Sequence, residues 1–227
     1  MQAIHDYYDK LAKDYDSDRF GNSYGRYIDR MEREIVSAWL APIAPEAVLD
    51  IGCGTGRMLD FAMSGVDASP EMLKQAAQKF PDRRLRMASL PALDVDVDLG
   101  TAFQGATCFH VFMHLDKECI AQSLQSIARV VEPGGIFIFD IPSQRRRALN
   151  RRGQSGWHGD TAATYAEVEQ WAGSAWRMSG RCGVLLFPIH RLPPFARPFL
   201  RKLDALLGRT FLSAYSSYHV YRLERLP

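Results

Sequence analysis

The chain has 227 residues, of which 47% are hydrophobic and 24% charged, as in ordinary globular proteins. This length suits one sizeable domain with little left for a second. No apolar run approaches the roughly 20 residues that span a bilayer. The N-terminal residues lack the basic and apolar segments of a secretory signal. Four widely separated cysteines without a CxxC pair argue against a zinc site or disulfide framework, so we expect a cytoplasmic protein.

The net charge of +2 is unevenly distributed along the chain. Residues 1–140 contain 14 Lys and Arg against 21 Asp and Glu, whereas residues 141–227 contain 14 against 5. A basic C-terminal part can mark a face that receives an anionic partner, although a solvated surface explains the same asymmetry. Charge alone therefore leaves the partner open.

The first 42 residues are predicted to form a helical cap rich in aromatic side chains. Tyr7, Tyr8, Leu11 and Tyr15 recur at helical spacing. After a polar break, a second helix is predicted over Ser23–Leu40, with its apolar residues in one stripe.

Strand and helix patterns alternate from residue 43 onward. The predicted strands are short apolar runs that end in turns, and the predicted helices have amphipathic spacing. Ser69 before Pro70 indicates a helix N-terminus with Ser69 as its N-cap. In chain order, the segments are strands Ala47–Ile51 and Ser64–Asp67, a helix from Pro70, strands Arg84–Met87 and Ala106–Phe109, helix Lys117–Val131, and strand Ile136–Asp140.

The C-terminal part adds a helix near Thr164–Trp171 and two closing strands near Gly183–Phe187 and Ser217–Arg222. Between those strands lies an insertion, residues 189–214, with an amphipathic helix that we expect mainly to cover the core. The alternation predicts an α/β fold, a doubly wound and mainly parallel sheet with helices on both faces. We divide this single domain into a cap (1–42), a core (43–145) and a C-terminal half (146–227).

The predicted strand Ala47–Ile51 runs into a glycine-rich turn, residues 52–57. Glycines tolerate the unusual dihedrals and the close ligand approach that such a turn requires, and we expect free N–H groups at the start of a following helix. The glycines fall at 52, 54 and 56, which is not the G-x-G-x-x-G register of dinucleotide-binding enzymes. A tight turn without a ligand is the simpler alternative.

Two acidic residues mark the ends of the first two strands. Asp50 stands just before the turn, and Asp67 ends the second strand, where a carboxylate can accept hydrogen bonds from both hydroxyls of a ribose. The alternative for Asp67 is a capping carboxylate before Ser69.

With these motifs the chain resembles the class I S-adenosylmethionine (SAM)-dependent methyltransferases. The segments that carry the resemblance are Asp50–Arg57, Gly65–Leu73, Leu90-Pro91, Cys108–Leu115 and Val131–Gly135. The resemblance covers roughly residues 5–141 and implies a Rossmann-like methyltransferase fold with a seven-stranded sheet. It also implies SAM as cofactor, S-adenosylhomocysteine (SAH) as its product, and no metal.

The resemblance implies a role for each matching position. It places the glycine-rich turn and the end of the fourth strand near the methionine part of SAM. It places the ends of the second and third strands near the ribose and adenine. It also implies that Tyr15 closes over the cofactor. The implied cofactor-binding residues are Tyr15, Asp50, Gly52, Cys53, Gly54, Asp67, Ala68, Met72, Met87, Ala88, Cys108 and Phe109.

Three departures from the family pattern stand out. Asp50 and Asp67 are only 17 residues apart, so the helix after the turn must be short. Met87 stands where an acid often contacts adenine, and Phe103-Gln104 replaces the common Phe-Asp.

Two histidines follow the fourth strand, whose C-terminal end faces the reaction crevice of such sheets. His110 is our candidate catalytic residue, as a general base. The i, i+4 spacing of His110 and His114 also fits a metal pair, but no Glu stands between them as in HExxH. Candidate substrate-binding residues are Tyr24, His114, Trp157 and His158.

The hypothesis we favour is methyl transfer to an O, N or C atom of a small molecule, by a monomer or homodimer without a transmembrane segment or a dedicated nucleic-acid module. One alternative is a methyltransferase acting on RNA or protein through the basic C-terminal part. Another is a non-catalytic SAM-binding partner protein. The amphipathic helix of the insertion can also touch a membrane.

Overall fold

Seven strands form one sheet in a computed structural model that describes residues 2–93, 102–149, 159–188, 192–193 and 197–227. The strands are β1 (Val48–Ile51), β2 (Ser64–Asp67), β3 (Arg84–Met87), β4 (Phe103–Cys108), β5 (Val131–Pro142), β6 (Trp176–Val184) and β7 (Tyr218–Arg225). The helices are α1 (Gln2–Leu11), α2 (Tyr15–Phe20), α3 (Ser23–Leu40), α4 (Pro70–Lys79), α5 (Lys117–Val130), α6 (Gln144–Leu149), α7 (Tyr165–Ala172) and α8 (Arg197–Leu207).

The strand order is β3-β2-β1-β4-β5-β7-β6. Strands β1 to β5 pair in parallel, while β7 is antiparallel to both of its neighbours, β5 and β6. The mainly parallel, doubly wound seven-stranded sheet predicted from the sequence is therefore confirmed. The single reversed strand accounts for the two adjacent closing strands.

Apolar side chains fill both faces of the sheet, as the alternating pattern requires. On one face, Ile120 and Leu124 of α5 and Val168 of α7 belong to one buried cluster. On the other face, Ile28 of α3 and Ala76 of α4 belong to a second cluster. Ser69 is the N-cap of α4, as predicted, because its hydroxyl accepts a hydrogen bond from the Met72 N–H over 3.1 Å.

Two local expectations are wrong, and a third holds only in part. Turns, not a short helix, follow the glycine-rich loop over residues 54–60. The predicted strand Ile136–Asp140 begins five residues earlier, at Val131, because helix α5 passes directly into β5. The helix α8 covers the core through Ala205 as expected, but its Phe199 and Leu206 side chains are exposed.

The carboxyl ends of β1, β2 and β4 lie at one edge of the sheet, since Ile51 pairs with Val66 and Asp50 with Thr107. Loops that follow parallel strands at this edge form the usual binding crevice of doubly wound folds. Among the described residues, we find no helix with the length and apolarity that crossing a membrane would require.

Candidate functional site

A cleft with about 880 Å³ of empty space opens at the carboxyl edge of β1, β2 and β4. A smaller pocket adjoins it beneath the glycine-rich loop. Of the residues predicted to form the site, the cleft is lined by Tyr15, Gly52, Gly54, Asp67, Ala68, Met72, Ala88, Phe109, His110 and His114. The smaller pocket is lined by Asp50 and Cys53 in addition.

The Asp67 carboxylate lies at the junction of β2 and the glycine-rich loop. Its Oδ2 accepts the Gly54 N–H and its Oδ1 accepts the Ser69 N–H, each over 2.8 Å. Asp67 also lines the cleft. Asp67 is therefore a capping carboxylate before Ser69, as the alternative predicted, and it also fixes the loop and faces the cleft.

The glycine-rich loop turns its N–H groups back toward the sheet. Gly52 and Cys53 both donate to the Val66 carbonyl oxygen, over 2.7 and 2.9 Å. Gly52 and Gly54 have φ values of +68° and +53°, which L-residues with a Cβ rarely adopt. The expected helix N-terminus with free N–H groups is thus absent, and the loop instead presents a glycine surface to the cleft.

One wall of the cleft is apolar. It is formed by Ala68 and Met72 after β2 and by Ala88, Leu90 and Leu93 after β3. If a ligand places a flat ring against this wall, apolar surface is removed from water, which favours binding. Two predicted residues lie off this wall: the side chain of Met87, on the edge strand, is 69% exposed, and Cys108 is fully buried behind the cleft.

The cap covers the cleft with aromatic side chains. The Tyr8 and Tyr15 rings meet edge to face at 5.9 Å, and the Tyr8 hydroxyl lies 2.9 Å from Nε2 of His114. On the outer side, the Thr55 hydroxyl donates to the Asp16 carboxylate over 2.6 Å. These contacts hold α1 and α2 against the loops of the sheet.

Asp50 is buried under the loop, with 3% of its surface exposed. It accepts a hydrogen bond from the Thr107 hydroxyl over 2.7 Å. Burial raises the pKa of Asp50 to about 7, against the lowering effects of Thr107 and Arg57. A cation placed in the smaller pocket would therefore stabilise the ionised form.

His110 stands at the centre of a buried charge cluster. Its Nε2 lies 3.2 Å from Glu32 Oε2, its Nδ1 lies 3.3 Å from Asp140 Oδ2, and its backbone N–H donates to Asp140 Oδ1 over 2.6 Å. Glu32 also pairs with Arg57 over 2.8 Å. The backbone of His110 has a φ of +59°, a strained conformation that tends to occur at functional sites.

The cluster contains two carboxylates and two groups that can be cationic. Burial lowers the pKa of His110, but Glu32 and Asp140 raise it further, so that it lies above its ordinary value. Burial raises the pKa of Glu32, but His110 and Arg57 lower it below the ordinary value. Because an unpaired charge in the interior is costly, this arrangement favours a protonated His110.

The partners of His110 were not identified from the sequence. The sequence could have indicated Glu32, because this acid lies on the buried stripe of α3, four residues from both Ile28 and Val36. Of the predicted substrate-binding residues, His114 lines the cleft, whereas Tyr24 packs against the cluster behind α3. Trp157 and His158 lie outside the described residues.

Comparisons with known proteins find methyltransferases among the similar chains. Residues 48–135 match a family model described as a methyltransferase domain. The chain is 36% identical over 144 residues to an uncharacterized protein of Methanocaldococcus jannaschii, covering 61% of this chain and 51% of that protein. It is 34% identical over 128 residues to glycine N-methyltransferase of Rattus norvegicus, covering 45% and 44%. The chain thus spans about half the length of these curated relatives.

A solved structure with a similar fold is magnesium protoporphyrin IX methyltransferase from Synechocystis with bound SAH. The two superpose with a TM-score of 0.67 at 15% identity, covering 99% of each chain. At this identity the likeness concerns the fold.

Proposed function

We propose that this chain, which belongs to the class I SAM-dependent methyltransferases, transfers the methyl group of SAM to a small-molecule acceptor. The observation that carries the proposal is the Asp67 carboxylate, which binds the glycine-rich loop and faces an apolar cleft at the carboxyl edge of the sheet.

The residues of the cleft fit the three parts of the cofactor. The wall of Ala68, Met72 and Ala88 suits a flat adenine ring. The Asp67 carboxylate, which lines the cleft after β2, suits the two ribose hydroxyls. The smaller pocket suits the amino-acid tail, because it offers the acidic Asp50 for the ammonium and the Arg57 guanidinium, whose buried Nη2 has no hydrogen-bond partner, for the carboxylate.

When bound, SAM supplies an electrophilic methyl group on a sulfonium. The residues of the chain hold the reactants in line and exclude water. Phe109 and Tyr15 line both the cleft and the smaller pocket, so their rings flank the junction where the sulfonium would lie. Aromatic faces stabilise a cation by about 0.5–2 kcal/mol each.

The role of His110 follows from its two carboxylate neighbours. Both ring nitrogens lie within 3.3 Å of a carboxylate oxygen, and a protonated ring carries the positive charge that pairs with both carboxylates. In this proposal His110 is therefore a buried cation that positions Asp140 and Glu32, in place of the general base expected from the sequence. The acceptor must then attack without first giving a proton to a base on the protein, as a neutral amine or a carboxylate can.

Enclosure by the cap favours a small acceptor. Tyr8 and Tyr15 cover the cleft, which supports an acceptor small enough to fit beneath their rings. Two of the similar proteins are named for small acceptors, glycine and magnesium protoporphyrin IX.

Calorimetry and an acceptor screen test the proposal. We expect SAH to bind the purified chain with one site, and amines or carboxylates to be methylated from radiolabelled SAM. Absence of heat with both SAM and SAH would contradict the cofactor assignment. Labelling of RNA or protein alone would contradict the small-molecule acceptor.

A further inference from the structure

The exposed apolar side chains of this protein are concentrated on one surface. Among the described residues, six large apolar side chains are exposed, and five of them lie on α6, on α8 and on the turn Phe211–Tyr215. The five are Leu149 (62% exposed), Phe199 (73%), Leu206 (64%), Phe211 (81%) and Tyr215 (40%). The sixth, Met87, lies on the edge strand β3. Clustered exposure of this kind marks an interaction surface.

The three elements lie next to one another. The turn Phe211–Tyr215 contacts both α6 and α8. We call these elements together the α6–α8 surface. It lies at the same edge of the sheet as the cleft, because α6 begins two residues after the carboxyl end of β5, at Pro142.

The orientation of α8 is fixed by a buried acid. The Asp204 carboxylate accepts the Leu185 N–H over 3.1 Å and the Phe187 N–H over 3.0 Å. With Asp204 held inside, Phe199 and Leu206 must face solvent. Their exposure follows from the packing of the helix and is not an end effect.

Basic side chains accompany the apolar ones. Residues 144–149 and 197–215 contain seven Lys and Arg but one acid, the buried Asp204. On α8 and just after it, the exposed Lys202 and Arg209 recur at helical spacing with Phe199 and Leu206. A face that mixes aromatic and leucine side chains with Lys and Arg is typical of helices that lie in the headgroup region of a membrane.

We propose that the α6–α8 surface binds anionic lipid bilayers peripherally. Phe199, Leu206 and Phe211 enter the boundary between headgroups and acyl chains, and Arg145, Lys202 and Arg209 contact the lipid phosphates. Charge complementarity selects anionic lipid as the occupant. This inference is independent of the proposed methyl transfer.

Vesicle co-sedimentation with the full chain tests the proposal. We expect binding to vesicles of phosphatidylcholine mixed with phosphatidylglycerol, little binding to phosphatidylcholine alone, and weaker binding at higher salt. The double variant F199S/F211S should bind at least tenfold more weakly, and each of K202E and R209E about fivefold or more.

The matched control is M87S, which removes the exposed apolar side chain outside the α6–α8 surface. It should bind like the parent, and thermal melts should show that all variants fold. Equal binding of F199S/F211S and M87S, or no binding to anionic vesicles, would overturn the proposal. So would binding to RNA alone that depends on Lys202 and Arg209 but not on the phenylalanines.

Discussion

The Oδ2 atom of Asp67 accepts the backbone N–H of Gly54 over 2.8 Å, which joins the end of β2 to the loop that follows β1. The other oxygen accepts the Ser69 N–H and so caps the turn into α4. One carboxylate therefore sets the shape of the loop on one side and the start of a helix on the other. The position of any ligand that binds Asp67 therefore depends on both the glycine-rich loop and the start of α4.

We predict that Asp67→Ala weakens SAH binding at least tenfold. A hydrogen bond to a charged group contributes about 1.5–3 kcal/mol, and the variant loses both the ligand contacts and the loop contact. Asp67→Asn, which keeps one acceptor oxygen, should fall between the parent and the Ala variant. Calorimetry measures both affinities, and unfolding midpoints separate loss of binding from loss of fold. An unchanged affinity in Asp67→Ala would remove Asp67 from the site.

Gly52 and Gly54 form a matched pair for testing the loop. Both have positive φ, but a Cβ on Gly52 would lie 2.3 Å from Cγ2 of Val111, whereas a Cβ on Gly54 would meet nothing within 4 Å. We predict that Gly54→Ala costs about 1–2 kcal/mol of unfolding free energy from backbone strain alone, and that Gly52→Ala costs more and weakens SAH binding. Val111→Ala should partly rescue Gly52→Ala, because it removes the clashing methyl group; absence of rescue would contradict the steric explanation.

Features encoded by neighbouring residues were predictable from the sequence. The Ser69-Pro70 start of α4 and the extent of α3 depend on local capping and periodicity, and the structure has both where the sequence predicts them. The absence of a helix after the glycine-rich loop was not predictable, because Gly52 and Cys53 give their N–H groups to Val66 on another strand. That pairing depends on the assembled sheet.

The charge cluster shows the same limit within the site. His110 and Glu32 are 78 residues apart in the chain but 3.2 Å apart in space. The sequence identified His110 from its place after β4, yet only the packing of α3 over that strand end shows which groups surround the ring. A role based on the ordinary pKa of histidine could therefore not anticipate two carboxylate partners.

Cofactor binding should depend on pH through Asp50. Burial raises the pKa of this carboxyl to about 7, and a cationic ligand in the smaller pocket prefers the ionised form. Affinity for SAH should therefore rise with pH and level off above about 7, and one unit below that value it should be about tenfold weaker than the plateau. Asp50→Asn should flatten this profile. A profile that keeps its slope in the variant would assign the titration to another group.

Glu32 should stabilise the fold far more than its neighbour Glu34. Glu32 is fully buried and pairs with Arg57 and His110, whereas Glu34 is exposed and pairs with Arg30 on the same helix. Removing one partner of a buried ion pair costs about 3–5 kcal/mol, and an exposed pair contributes about 0.3–0.5 kcal/mol. We predict these losses for Glu32→Gln and Glu34→Gln in urea unfolding. Similar values for the two variants would show that the cluster is not held by its charges.

The protonation state of His110 can be read from the pH dependence of stability. Its pKa in the folded chain lies above the ordinary 6.5, so its stabilising contribution is complete below 6.5 and declines as the pH rises through the folded value. The difference in unfolding free energy between the parent and His110→Gln should therefore shrink as the pH rises.

His219 provides the control, because burial lowers its pKa to about 4 and it lies 2.8 Å from the Ser213 carbonyl oxygen. In the unfolded chain its pKa is the ordinary 6.5, so above about pH 7.5 the ring is neutral in both states, and the difference between the parent and His219→Gln should stay constant there. The pH dependence of methyl transfer also distinguishes the two roles of His110. If His110 acts as a cation, turnover should fall as the ring loses its proton. If it acts as a general base, turnover should rise. A rising profile, together with a His110→Gln difference that does not change with pH, would return His110 to the role of base.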